Sequence, residues 1–362
     1  MNRDELSTRQ LCFILCVFSP AGKIILLPSI LARYAGNDLL FAVAIPFALE
    51  WLAVSAALWL IGKREEPLLA LLEQTAGKVF SRAALFLLGM FLLFSSIVPL
   101  VEHRLYVQNV MYDVLPSVIV FLPVFLFSAY ACAKGLTCAG RAADVAAPLF
   151  LLSFAVLLFM SVASADFSEL LPLAKTPAKG VLQGAISAFN WFSSGAWVLL
   201  FQGRVKKSKG FLWKTELSYV AGMLGVFFFL AVFYGIFSTV AVNEPFAVSK
   251  IARYYGALKT LGRVDYLFLY ILMLAQLFAL VLPLQLSAHA FADCFSCTNL
   301  MPFSLAVNGA LLSAFLLTSH NASSLIDLFG LKLFPVFLVF SFLLPLLSPL
   351  LALKKKEVRR EK

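Results

Sequence analysis

Residues 11–34, LCFILCVFSPAGKIILLPSILARY, constrain the chain more than any other stretch. A bilayer is crossed by roughly 20 apolar residues in a helix, and this run is long and apolar enough to do it. Its middle, Ser19-Pro20-Ala21-Gly22-Lys23, is nonetheless unsuited to a plain spanning helix. Pro20 lacks a backbone N–H, Gly22 weakens the helix, and Lys23 puts a cation near the midplane. In hydrocarbon a helix is interrupted only where protein or a watery cavity satisfies the freed backbone groups. Matched interruptions in the two halves of a chain point to a transporter's substrate site, so a second one is worth looking for.

The chain is 62% hydrophobic and 13% charged. Soluble domains carry about 25% charged residues, so this is an all-α integral membrane protein. Its net charge of +10 does not indicate a nucleic-acid partner, because the charges sit in short loops and at the C-terminus. Ten membrane helices are expected, near residues 10–34, 39–62, 81–109, 116–133, 143–165, 180–202, 216–240, 264–288, 301–319 and 333–353. The third is long enough to be tilted. Arg3, Arg9, Lys63, Arg64, Lys78, Arg82, Lys134, Arg141, the basic residues from Arg204 to Lys214 and the tail from Lys354 fall on one side. They outnumber those on the other, from Arg33 and Arg104 to Arg263 and Lys332. The bias places both termini in the cytoplasm. The N-terminal MNRDELSTRQ, with Asp4 and Glu5, reads as an uncleaved start and not as a signal peptide. Residues 1–362 form one membrane domain: 10–165 make a first five-helix repeat, 180–353 a second, and 354–362 a basic tail.

The second interruption lies in the sixth helix, GVLQGAISAFNWFSSGAWVLLF, where Asn190 and Ser193-Ser194-Gly195 fall at mid-depth. Helices one and six each open a block of five and run in opposite directions. That is a five-plus-five inverted repeat with ligand held between the broken helices. Small residues in the sixth helix also serve close packing. Backbone groups at Ser19, Ala21 and Gly22 and at Phe192, Ser193, Ser194 and Gly195 are expected to face the ligand. Half-helix N-termini would take a carboxylate and freed carbonyls an ammonium. Phe189, Asn190 and Trp191 would close the pocket, and Gln276, central in the eighth helix, would reach it.

Charged residues within the spans cost several kcal/mol unless paired. Lys23 and Glu50 lie at equal depth in consecutive antiparallel helices, which predicts an ion pair or a water-bridged contact with either a structural or a coupling role. Glu102, His103 and Arg104 fall near the outer end of the third helix. Being consecutive, they point three ways and cannot all face one cavity, so at most one is expected to line an outer vestibule while the others reach headgroups. In the loop NEPFAVSKIARYYGALKTLGRVD, Ala247, Val248, Ile251, Tyr254, Tyr255, Leu258 and Leu261 recur at helical spacing opposite Lys250, Arg253 and Lys259, which predicts an amphipathic helix at the outer surface. Cys294-x-x-Cys297 and Cys132-x5-Cys138 could together supply four thiolates to a zinc ion, but the second spacing is wrong for a usual knuckle, so free thiols and no metal are expected. Only His103, His289 and His320 are present, with no nucleophile constellation and no phosphate loop, so neither an enzyme nor a cofactor is expected.

Arg9-Gln10, the Gly22 that precedes the Ile25-to-Pro28 run, and the Ala35-to-Asp38 turn resemble the permeases of bacterial spore-germination nutrient receptors. These are the membrane-embedded B subunits, related to amino-acid/polyamine/organocation transporters. Motif-level similarity covers roughly the first sixty residues. The Ala185-to-Gly195 stretch is similar to the sixth-helix break of the wider superfamily, although Ala196 and Trp197 replace an acidic residue and Leu39-Leu40 an aromatic one. The resemblance implies a LeuT-like fold and an amino-acid-like germinant. It also implies companion A and C subunits and the spore inner membrane. It further implies that the 243–265 loop serves as an outer lid. The alternative function is a proton-coupled amino-acid transporter, in which Lys23 stands in for a coupling ion or meets a substrate carboxylate.

Overall fold

The computed structural model describes residues 5–111, 117–254, 265–317 and 332–351. Arg3 and Asp4, the loop positions Tyr255, Leu258, Lys259, Leu261 and Arg263, His320, and the tail from Lys354 lie outside them.

Ser7 starts the first helix. Its hydroxyl accepts from the Gln10 amide at 3.3 Å, and the Gln10 side chain accepts from the Ser7 amide at 2.9 Å. This reciprocal cap satisfies two N–H groups that a helix start leaves bare. Arg9 and Gln10 both reach Asp144, at 3.1 and 2.9 Å, fastening this end to the fifth helix. Leu6–Ser7 also pairs in parallel with Val205–Lys206, just beyond the sixth helix.

From Thr8–Phe13 the helix widens into a π turn over Ile14–Phe18, re-forms over Ser19–Ala21 and tightens to 3-10 over Gly22–Ile24. Ile25 and Leu26 leave the helix, and the outer half follows as Leu27–Ala35. The interruption therefore falls just beyond the Ser19-to-Gly22 segment expected to break. The π turn has already shifted the backbone bonding ahead of Pro20, so this proline sits in a short turn without ending the helix. Pro28, in the first turn of the outer half, is the proline at the boundary, where its missing N–H costs nothing. The sixth helix is broken in the same manner. Ala178–Ala188 tightens to 3-10 over Phe189–Trp191, Phe192 and Ser193 are non-helical, and Ser194–Leu199 resumes.

The other membrane segments are Leu39–Lys63, Lys78–Ser95 continued by Ile97–Tyr106, Ser117–Lys134, Leu136–Val162, Phe211–Phe237, Asp265–Cys294, Met301–Leu317, and the stretch from Phe334 to Leu347. Among the described residues six stretches are long and apolar enough to cross a membrane without interruption, against ten expected spans. Helices one and six are split, and Phe121–Lys134 and Met301–Leu317 are short. The fifth helix starts at Leu136, earlier than its composition suggested. Gly135 alone turns the chain at φ +83°, a conformation only glycine adopts readily. A further helix, Leu68–Ala76, follows the second and buries Leu68 and Leu71.

The second helix packs against the seventh, the tenth and both halves of the sixth. The eighth packs against the third and fifth, and the ninth against the fourth. Within the 243–265 loop, Ala247–Tyr254 is helical and turns Ala247, Val248 and Ile251 into the protein. The Ala247 amide donates to Ile25 O at 3.1 Å, satisfying a carbonyl freed by the first break. Lys250, on its other side, pairs with Glu244 at 2.7 Å.

Candidate functional site

The two breaks meet inside the protein. Ser19 Oγ, just before the first break, lies 2.7 Å from Ser194 Oγ, just after the second. Glu50 reaches the junction from the second helix with no exposed surface. One of its oxygens accepts from the Ser194 amide at 2.7 Å, and the other from Tyr219 Oη at 2.6 Å. Lys23 Nζ stands 3.1 Å from Glu50 Oε2. It also donates to Ser19 O at 2.9 Å and Ser19 Oγ at 3.2 Å, and lies 4.6 Å over the Phe192 ring. Every donor of the ammonium has a partner, as a charge in this setting requires.

Beside the junction is a cavity of about 60 Å³, room for a few water molecules or a small solute. Ser19, Gly22, Asn190, Ser193, Ser194 and Gln276 line it. Gly22 has open space where a Cβ would stand. Trp191 lines it too, whereas the other residues singled out from sequence lie elsewhere. Ala21 is fully buried, Lys23 and Phe192 face each other, and Phe189 packs edge-on against Phe334 with ring centroids 4.7 Å apart. A Cβ at Gly195 would run into Ser341 O, so this glycine lets the sixth helix touch the tenth.

Glu102 and His103 also line the cavity, only 1% and 3% exposed. The expectation that consecutive residues would scatter toward headgroups fails for both. Arg104 is buried as well, donating to Phe315 O at 3.3 Å and lying over the Phe315 ring. The sequence does carry a sign of this. Ser95, Ser96, Pro99, Glu102 and His103 recur at helical spacing as one polar stripe on an otherwise apolar helix. All five line the cavity.

Several polar groups around the cavity lack hydrogen bonds: both amide atoms of Asn190, both ring nitrogens of His103, Trp191 Nε1 and Gln276 Oε1. Trp191 stands near Glu102 and Gln276 near His103, close enough for electrostatic contact but outside hydrogen-bond geometry. Buried polar groups normally find partners, so this wall suits a polar guest. The half-helix N-termini, by contrast, are already served by the chain's own carboxylates. Glu50 accepts from Ser194 N, and Glu102 accepts from Leu26 N at 3.3 Å. A larger groove of about 340 Å³, lined by Pro123, Phe127, Leu274 and Phe278, is apolar and offers nothing to orient a polar ligand. All six cysteines are free thiols. Among the described residues no group of three or more His, Cys, Asp and Glu side chains could hold a metal ion.

The fold is that of known membrane transporters. MhsT in complex with L-phenylalanine superposes with a TM-score of 0.63 at 16% identity, over 95% of this chain and 88% of that one. A variant of the Eremococcus coleocola manganese transporter gives 0.62 at 16% identity, over 94% and 78%. None of the curated proteins matches in sequence. The spore permease family, described as spore germination protein, matches residues 5–324. With most of its length matched, the chain belongs to the spore permease family of spore germination proteins.

Proposed function

We propose that this protein is the ligand-binding membrane subunit of a nutrient germinant receptor. It holds a small amino-acid-like nutrient between its broken helices and signals through companion A and C subunits in the spore inner membrane, with both termini in the cytoplasm. Family membership and the transporter fold support the coarser part, a multi-pass membrane permease. The observation that carries the finer part is the cavity at the junction of the breaks, with Asn190, His103 and Gln276 in its lining, buried and short of partners. Ligand binding shifts the protein between conformations only by its differential affinity for them. The hydroxyl contact between Ser19 and Ser194 makes the relative position of the breaks sensitive to what lies beside them.

One observation favours a second reading, a proton-coupled amino-acid transporter. Lys23 and Glu50 form a fully buried ionisable pair against the breaks, and intramembrane ion pairs recur in proton-driven carriers. Proteoliposomes holding the chain alone, given labelled amino acids with and without an inward proton gradient, separate the two. Saturable binding without accumulation supports the receptor. Gradient-driven accumulation that is lost in Lys23→Ala supports the transporter and overturns the receptor reading.

A further inference from the structure

We propose that Glu102 recognises the ammonium group of the ligand. The site then takes small primary amines and amino acids by their positive end and holds a ligand that carries only a carboxylate much less tightly. This rests on the cavity being a nutrient site.

The two carboxylates at the breaks differ in kind. Glu50 is neutralised by Lys23 and further bonded by Tyr219 and the Ser194 amide. Glu102 is as deeply buried, yet among the described residues it forms no ion pair. Its bond from Leu26 N, at 3.3 Å, is long and engages one oxygen. A carboxylate has about four acceptor sites, so Glu102, which lines the cavity, keeps acceptor capacity beyond Leu26 N and the neighbouring Trp191. Among the described residues lining that cavity there is no Lys or Arg to offer a ligand carboxylate. An ammonium has three donors. Besides Glu102, the unbonded Asn190 Oδ1 and Gln276 Oε1 supply acceptors on the same wall. Trp191 and Trp197 add aromatic faces, which attract cations. An isolated buried carboxylate is costly, and an incoming cation relieves that cost.

The test uses the full-length chain in lipid nanodiscs, with labelled L-alanine displaced by ethylamine, which keeps only the ammonium, or by propionate, which keeps only the carboxylate. Ethylamine is expected to displace and propionate not. In Glu102→Gln, whose side-chain oxygen still accepts from Leu26 N, affinity for L-alanine and ethylamine is expected to fall by about tenfold to a hundredfold, the loss of one hydrogen bond to a charged group. Displacement by propionate and not by ethylamine, or wild-type affinity in Glu102→Gln, overturns the assignment while leaving the nutrient site standing. If neither L-alanine nor any other labelled amino acid binds the wild-type chain, the nutrient site falls and the assignment with it. Should Glu102→Gln not fold, the two analogues on the wild-type chain decide alone.

Discussion

Ser19 Oγ and Ser194 Oγ lie 2.7 Å apart although 175 positions separate them in the chain. This hydroxyl pair joins the half of the first helix before its break to the half of the sixth after its break. Ser194→Ala leaves the Ser194 amide on Glu50, so it removes the hydroxyl bridge alone. Ser194→Ala is expected to cost about 1 kcal/mol, the usual worth of a hydrogen bond, and Ser19→Ala more, because Ser19 Oγ also accepts from Lys23 Nζ at 3.2 Å. The double substitution should cost little more than Ser19→Ala alone. Denaturant unfolding of the four variants in detergent measures this, and strictly additive losses would show that the hydroxyls are not coupled.

Lys23 and Glu50 should behave as a unit too, on a larger scale. Removing one member of a buried pair strands a charge, at about 3–5 kcal/mol. Lys23→Met and Glu50→Gln are each expected to lower the amount of folded protein in membranes sharply. Combining them should restore part of the loss, because no uncompensated charge is left. Tyr219 and the Ser194 amide still face position 50, so the rescue is incomplete. Thermal unfolding of the purified variants reads all three, and equal stability in both singles and the double would remove the pair from the account.

How much of this was legible in sequence depended on what each residue's signal was tied to. Lys23 and Glu50 could be matched because depth in a membrane follows from position along a helix, and the two helices are consecutive. The sixth-helix break was legible because Ser, Asn and Gly cluster there. The first break was misplaced by a few residues, since a π turn at Ile14–Phe18 cannot be read from composition and changes what Pro20 does. Glu102 and His103 were misassigned by judging adjacent residues in isolation, without following the stripe from Ser95. Gly195 looked like Gly22 in sequence. Its role depends on the tenth helix, which lies about 150 residues further on.

Asp38 joins the two broken helices where the first ends and the sixth begins. Its two oxygens accept from the Ala174 and Thr176 amides, each at 2.7 Å, and Thr176 Oγ1 donates to Ala35 O at 2.7 Å. The turn after the first helix is thereby clamped to the segment leading into the sixth. Asp38→Ala strips both acceptors and should cost about 2–3 kcal/mol, since hydrogen bonds to charged groups are the stronger ones. Lys175, exposed within the clamped segment, makes the loss visible. Trypsin is expected to cut after Lys175 faster in Asp38→Ala than in wild type. Unchanged cleavage would mean that the clamp does not hold the segment.

Gly22 and Gly195 should respond to substitution in opposite ways, although each stands beside a break. At Gly22 a Cβ meets nothing within 4 Å and the residue lines the cavity. Gly22→Ala is therefore expected to fold normally, helped by the better helix propensity of alanine. Gly22→Trp should fill the cavity and abolish ligand binding while the protein still reaches the membrane folded. At Gly195 the space is taken by Ser341 O, with Ala53 Cβ 3.0 Å and Pro345 Cγ 3.2 Å away. A backbone carbonyl cannot give way as the end of a flexible side chain can. Gly195→Ala should then push the sixth helix off the tenth, costing about 1–3 kcal/mol as overpacking does, and reduce binding only as far as it reduces folding. Paired measurements of unfolding midpoint and L-alanine affinity on the three variants separate the effects. Loss of binding without loss of stability in Gly195→Ala, or undiminished binding in Gly22→Trp, would move the site away from the cavity.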